Sequence, residues 1–120
     1  MKAAGKKNWY IADGYIPSKS TGTVSHESFC VLNTGDADAS ITITLYFEDK
    51  EPMTFTSFCG AKRTHHIRFD RLKDAEGREI QRDVPYAVHL ESSVPVVGQH
   101  TRLDTSSGAM ALMTAVAFSE

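Results

Sequence analysis

Alternation of apolar and polar residues is the main pattern along this chain. In the segment "SITITLYFED" the apolar residues Ile41, Ile43 and Leu45 fall on every second position. Thr42 and Thr44 occupy the positions between them. A period of two, with many β-branched residues, is typical of a strand that is buried on one face. The segment therefore predicts a half-buried strand, the clearest element of the sequence.

Several other segments follow the same pattern less strictly. They cover residues 9–12, 24–32, 53–58, 62–69, 86–91 and 94–103. Turn-forming sequences separate them at short intervals, namely "NTGDADA", "EDKEP", "CGAK" and "KDAEGRE". Short strands punctuated in this way predict an all-β fold, either a sandwich or a barrel. The length of 120 residues is that of a single domain, so we expect one domain over residues 1–120.

The C-terminal segment "GAMALMTAVAFSE" has an ambiguous pattern. Ala, Met and Leu favour a helix, but the run is short and follows a predicted strand. Alternation places Met110, Leu112 and Val116 on one side and mostly alanine on the other. We predict a final strand here, and its small residues suit close packing against a neighbour such as another subunit.

Composition and charge exclude several classes of protein. With a net charge of −2 and a pI near 6.2, the molecule has no overall positive potential to attract nucleic-acid phosphates, so a nucleic-acid partner is disfavoured. The N-terminal "MKAAGKKNWYIADGYIP" lacks an apolar run long enough for a signal peptide or a membrane span. Without a secretory signal, Cys30 and Cys59 are expected to be reduced. These observations predict a cytoplasmic protein.

Five histidines invite the hypothesis of a metal site, because imidazole is a common zinc ligand. No HxxxH, HExxH or CxxC spacing supports such a site. No glycine-rich strand-to-helix motif for phosphates is present either. We therefore predict no metal and no cofactor, and a metal-dependent enzyme is the least favoured of the functional hypotheses.

Polar residues follow an apolar strand in "VPVVGQHTRLDTS", where His100 and Arg102 share a strand face. The guanidinium of Arg102 can donate two parallel hydrogen bonds to a carboxylate, a phosphate or a vicinal diol of a ligand. It can equally form an ion pair with Asp104 or Glu27 and tie parts of the protein together. Residue chemistry alone slightly favours the ion pair. For the aromatic cluster around Trp9, anchoring of the core is favoured over a sugar-stacking surface.

Four blocks of the sequence resemble a known family in order and spacing. They are "WYIADGYIP", "SHESFCVLNTGDADASITITLYFEDKEP", "RTHHIRF", and "QHTRLD" followed by "ALMTAVAF". Together they resemble the Anabaena sensory rhodopsin transducer family from Trp9 to Phe118. The resemblance implies an antiparallel β-sandwich of about eight strands that assembles as a homotetramer. It also implies either relay of a signal from a membrane photoreceptor or binding of small, sugar-like molecules.

The combined prediction is a non-enzymatic module that binds a small polar, carbohydrate-like ligand and passes the event to a partner. An adaptor that contacts a membrane receptor or regulator without any small ligand is the alternative. Polar groups from several strands, with Trp9 or Tyr15 as an apolar wall, form the predicted ligand site. Its residues are Trp9, Tyr15, His26, Glu27, Arg63, His66, Gln99, His100, Arg102 and Asp104. We expect the histidines at positions 26, 66 and 100 to converge with Arg102 on one concavity or subunit interface.

Overall fold

Eight antiparallel β-strands make up nearly all of the regular structure in the computed structural model, which describes residues 2–120. The strands are β1 (Lys6–Gly14), β2 (His26–Asn33), β3 (Ala39–Phe47), β4 (Met53–Cys59), β5 (Arg63–Arg68), β6 (Tyr86–Asp104), β7 (Ala111–Val116) and β8 (Phe118–Ser119). A 3₁₀ turn over Phe69–Arg71 follows β5. The predicted all-β class is confirmed, and each predicted strand segment lies within or beside an observed strand.

Strand β6 is longer than the sequence predicts, because two predicted strands form one strand of 19 residues. Its first half pairs with β1 and β3, and its second half pairs with β2 and β7. Between the halves the register with β1 shifts, since Asn8 lies opposite Glu91 whereas Lys6 lies opposite Val96. Pro95 falls within this shift, where it does not have to donate a ladder hydrogen bond. One strand thus links two layers of a sandwich-like fold.

A single apolar core joins the two layers. Ile43 and Leu90 are buried in the first layer, and Phe29 and Ile67 are buried in the second. The layers approach most closely at Gly98, where an added Cβ would lie 2.6 Å from the ring of Phe29. Glycine is required here because any larger residue would collide with that ring.

The C-terminal segment is extended, as predicted, but it forms two strands instead of one. Strand β7 pairs with the second half of β6, and β8 pairs with β1. The chain therefore crosses from the second layer to the first at Ala117, which is buried. Every residue of β7 is exposed, and one edge of this strand carries no neighbouring strand.

Two further findings bear on the setting of the protein. No helix in the described part of the chain is long and apolar enough to cross a membrane. Both cysteines are free thiols: Cys59 is buried and Cys30 is partly exposed.

Candidate functional site

Glu27 is a carboxylate with no exposed surface, and it lies at the centre of a hydrogen-bonded cluster. Arg102 Nε donates to its Oε2 at 2.8 Å, and the backbone N–H of Tyr15 donates to the same oxygen at 2.9 Å. His100 Nε2 lies 2.9 Å from Oε1, which also accepts the hydroxyl of Tyr86. Four donors thus satisfy one buried carboxylate, as the cost of burying a charge requires.

Strand pairing explains how these residues meet. Glu27 of β2 lies directly opposite Arg102 of β6, and His100 lies two residues earlier on the same face. Tyr86 begins β6 and points into the core. Its ring lies against Gly14, where an added Cβ would come within 2.2 Å of the ring. The glycine at position 14 therefore leaves the space that lets the Tyr86 hydroxyl reach the carboxylate.

The electrostatics of the cluster favour a charged glutamate. Burial raises the pKa of Glu27, but hydrogen bonds from His100, Tyr86 and the Tyr15 backbone outweigh it, so the pKa lies below its ordinary value. Burial lowers the pKa of Arg102, but the hydrogen bond and charge of Glu27 raise it more. Burial and the negative charge of Glu27 both raise the pKa of Tyr86, which keeps its hydroxyl a donor. The cluster is thus a buried ion pair between Glu27 and Arg102, supported by hydrogen bonds with His100, Tyr86 and the Tyr15 backbone.

Arg102 also joins β6 to the end of β1. Its Nη2 donates to the carbonyl oxygen of Asp13 at 2.9 Å and lies 3.4 Å from that residue's carboxylate. Of the two roles that the sequence leaves open for Arg102, the structure contains the ion pair with Glu27. The partner is therefore Glu27 rather than Asp104.

A groove of about 310 Å³ opens beside this cluster, between β1 and β7. It lies beside Ala117, where the chain passes from β7 to β8. Its walls are mainly apolar, and His100 lies at its floor. The lining includes Tyr10, Ile11, Asp13, Met113 and Phe118. We call this feature the β1–β7 groove.

His100 presents one ring nitrogen to the β1–β7 groove. An ionised carboxylate only accepts, so Nε2 carries the proton that it donates to Glu27. In the described residues, no buried side-chain nitrogen or oxygen lacks a hydrogen-bond partner. Nδ1 of His100 has no hydrogen-bond partner in residues 2–120, and the β1–β7 groove is the cavity that this largely buried ring lines. The groove therefore has an imidazole nitrogen at its floor that is not used by another protein group.

Four other predicted ligand residues do not reach the groove. Trp9 is buried in the core and donates its indole N–H to the carbonyls of Lys6 and Val96, at 3.0 Å each. The Tyr15 hydroxyl lies 3.4 Å from Asp83. The predicted residues His26 and Asp104 bond locally, to the Val24 carbonyl at 2.9 Å and to the Ser106 backbone N–H at 2.8 Å respectively.

Within one chain, the predicted convergence of three histidines is not found. His26, which lies next to Glu27 on β2, points to the opposite face by strand alternation. His66 lies opposite Cys30, and so shares that outer face, as does the exposed Gln99. Arg63 is exposed at the start of β5, opposite Asn33. Of the ten predicted residues, only Glu27, His100 and Arg102 bring their side chains into one cluster, which Tyr15 joins through its backbone N–H.

Sequence reasoning missed several residues around this cluster. Tyr86 had a detectable signal, since it shares the core face with Val88 and Leu90 and a buried hydroxyl needs an acceptor. Met113 and Phe118 gave no such signal, because their position depends on where the chain crosses between layers. No three His, Cys, Asp or Glu side chains in residues 2–120 are grouped so that they could hold a metal ion.

Comparison with known proteins places the chain in a family. The family model described as Anabaena sensory rhodopsin transducer matches residues 4–119. The crystal structure of Thermotoga maritima 1070 shares 40% identity and a TM-score of 0.88, covering 97% of this chain and 96% of that one. The Anabaena sensory rhodopsin transducer shares 40% identity and a TM-score of 0.77, covering 84% of this chain and 100% of that one. No curated protein matches. The resemblance found in the sequence is confirmed: the chain belongs to the Anabaena sensory rhodopsin transducer family.

Proposed function

We propose that this protein is a non-enzymatic module that binds a small, carbohydrate-like molecule in the β1–β7 groove. The observation that carries the proposal is the free Nδ1 of His100 at the floor of a largely apolar groove. Ligand sites generally combine apolar walls with a few polar groups that fix orientation. A volume of about 310 Å³ suits a ligand of one or two rings.

The lining favours a ligand with one apolar face and several hydroxyl groups. The rings of Tyr10 and Phe118 lie 6.1 Å apart at a tilt of 46°, and Phe118 is 64% exposed. Such rings can pack against the C–H face of a sugar ring. His100 Nδ1 can accept a hydroxyl hydrogen bond at the floor, and the exposed carboxylate of Asp13 can accept another at the rim.

The Glu27 cluster gives the groove a connection to other parts of the molecule. A ligand that moves His100 acts on Glu27, which also holds Arg102 and the backbone of Tyr15. Arg102 in turn holds Asp13 at the end of β1. Binding can therefore change the position of the segment between β1 and β2, where a partner protein could detect it.

A thermal-shift screen that compares the unmodified chain with a variant whose groove is filled tests the proposal. At least one compound in a panel of monosaccharides and their derivatives should raise the melting temperature. Met113→Trp should fill the groove and abolish the rise, since Met113 lines it and is partly exposed. Thr56→Trp adds the same bulk at an exposed position on β4 and should retain the rise. The proposal fails if no compound shifts the melting temperature, or if the rise survives in Met113→Trp.

The second candidate function is that of a protein adaptor, which the family favours. One solved relative at 40% identity is the Anabaena sensory rhodopsin transducer. By analogy, a membrane receptor such as a sensory rhodopsin is the proposed partner here, and the free thiols suit the cytoplasm as the place of contact. Co-purification of a receptor with this chain, undisturbed by Met113→Trp, would favour this function over ligand binding.

Self-association as a homotetramer is part of both proposals. It is supported by an exposed surface on the second layer, where Leu32, Leu112 and Val116 are apolar and uncovered. Strand β7 adds an unpaired edge that carries neither charge nor proline. Such edges are usually covered in stable proteins, and a second copy of the chain would cover this one.

A further inference from the structure

A second groove lies on the other edge of the sandwich, between β4 and β5. Each of these strands is the outermost of its layer, and His65 Nδ1 donates to the carbonyl of Phe58 across the gap. The volume is about 270 Å³. The lining includes Ser57, His65, His66, Arg68, Arg71 and Leu72. We call this feature the β4–β5 groove.

The lining of the β4–β5 groove is basic, although acidic residues follow closely in the sequence. Asp70 accepts two hydrogen bonds from Arg68, both at 2.8 Å, and lies 4.0 Å from Arg82. Asp74 pairs with Arg78 at 2.8 Å. Asp74 is therefore engaged away from the groove, whereas Asp70 neutralises the lining residue Arg68. Arg71 is the lining guanidinium without a carboxylate partner in residues 2–120.

Three donors of the groove have no partner within residues 2–120. Arg71 is exposed and takes part in no ion pair there. Neither the imidazole of His66 nor the hydroxyl of Ser57 makes a hydrogen bond to the described part of the protein. Because the net charge of the chain is −2, this concentration of donors is a local feature and not a property of the whole surface.

From this arrangement we infer that the β4–β5 groove binds a small organic phosphate. A guanidinium matches the geometry of a phosphate with two parallel hydrogen bonds, and hydroxyl and imidazole N–H groups can satisfy the remaining oxygens. The volume is near the lower end of the range for small-molecule sites, roughly 300 Å³. Leu72 at the rim can contact the carbon part of the ligand, which favours a phosphate ester over the free ion.

NMR titration of the ¹⁵N-labelled protein with glycerol 3-phosphate tests this inference, with glycerol and inorganic phosphate as comparison ligands. We expect saturable shifts at His65, His66 and Arg71 with the ester, weaker binding of inorganic phosphate, and no shifts with glycerol. Arg71→Ala should weaken binding of the ester at least tenfold. This position is exposed, so the variant should remain folded, as its unchanged melting temperature would verify.

Arg63→Ala is the matched control, because it removes the same charge from an exposed position of β5 outside the groove. It should change the affinity less than twofold. Equal weakening by the two substitutions would mean non-specific attraction and overturn the inference, as would inorganic phosphate binding more tightly than the ester. The absence of saturable shifts would also overturn it. Met113→Trp should leave this binding unchanged, so the result is independent of the β1–β7 groove.

Discussion

At the scale of single residues, Glu27 is the group on which the second layer and the end of β1 depend. A buried ion pair gains little net stability because desolvation offsets its attraction, but removing one partner is costly. Here the carboxylate joins three side chains of β6, those of Tyr86, His100 and Arg102, to the backbone N–H of Tyr15. The energetic importance of Glu27 is therefore in holding these groups in one arrangement.

This dependence predicts an acid-sensitive stability. The pKa of Glu27 is below its ordinary value of 4.5 in the folded protein, so its contribution is present above pH 4.5 and is lost as the pH falls through the folded pKa. Glu27→Gln should cost about 3 kcal/mol near pH 7, since Arg102 loses its buried counter-charge. When the pH falls from 6 to 3.5, the Glu27→Gln variant should lose less of its unfolding free energy than the unmodified chain does, as urea denaturation would measure.

The control for this prediction is Glu51→Gln, an exposed carboxylate in the turn before β4. Its pH dependence should match that of the unmodified chain. Asp70, Asp74, Asp83 and Asp104 also have lowered pKa values, so some acid sensitivity will remain in every variant. If Glu27→Gln and the unmodified chain lose stability equally over this range, Glu27 is not charged in the way described.

The residue scale also shows what the sequence could predict. Alternation placed His100 and Arg102 on one face, and the ion pair with Glu27 was one of two predicted alternatives. The register that sets Glu27 opposite Arg102 depends on contacts between residues 75 positions apart, which no local pattern encodes. His26 is a different case, because alternation alone places it on the strand face opposite to its neighbour Glu27. Its inclusion rested on side-chain chemistry and not on position.

At the scale of elements, β6 determines how the two layers meet. The sequence predicted most strands correctly because their alternation is local, but it divided β6 at the interruption near Ser92. The strand continues because its partners change there, from β3 to β2, so each half finds a complete ladder. The continuity of β6 therefore depends on the strands that pair with it and cannot be predicted from its own sequence.

Close packing along β6 predicts a strong effect of substitution at Gly98. An alanine Cβ there would lie 2.6 Å from the ring of Phe29 and 3.2 Å from Trp9, both of which are buried. Gly98→Ala should destabilise the protein by about 1–3 kcal/mol through overpacking, measured by urea denaturation. Gly60→Ala is the control, since its Cβ would meet nothing closer than 3.5 Å. Similar stability of the two variants would show that the layers can separate to admit a methyl group.

At the scale of the whole molecule, the two grooves lie on opposite edges of the sandwich. The β1–β7 groove is largely apolar with one polar floor, whereas the β4–β5 groove is lined by basic groups. Each occurs at an edge where the two layers face one another. At one edge the outermost strands β4 and β5 face each other, and at the other β1, beside the short outermost strand β8, faces β7. The fold class was predictable from the pattern of strands, but the grooves were not, because each combines residues from distant segments.

The exposed apolar face of the second layer predicts self-association of the chain. Leu112 and Val116 on β7 are 68% and 70% exposed, a high value for two aliphatic side chains on one strand face. Light scattering coupled to size exclusion should give the mass of a homotetramer of 13.2 kDa chains.

Replacing both Leu112 and Val116 by Asp should lower that mass by placing charges at the contact. Phe58→Asp, at an equally exposed position on β4, should not. A monomeric unmodified chain would contradict self-association, and a tetramer that survives the double substitution would exclude β7 from its interface.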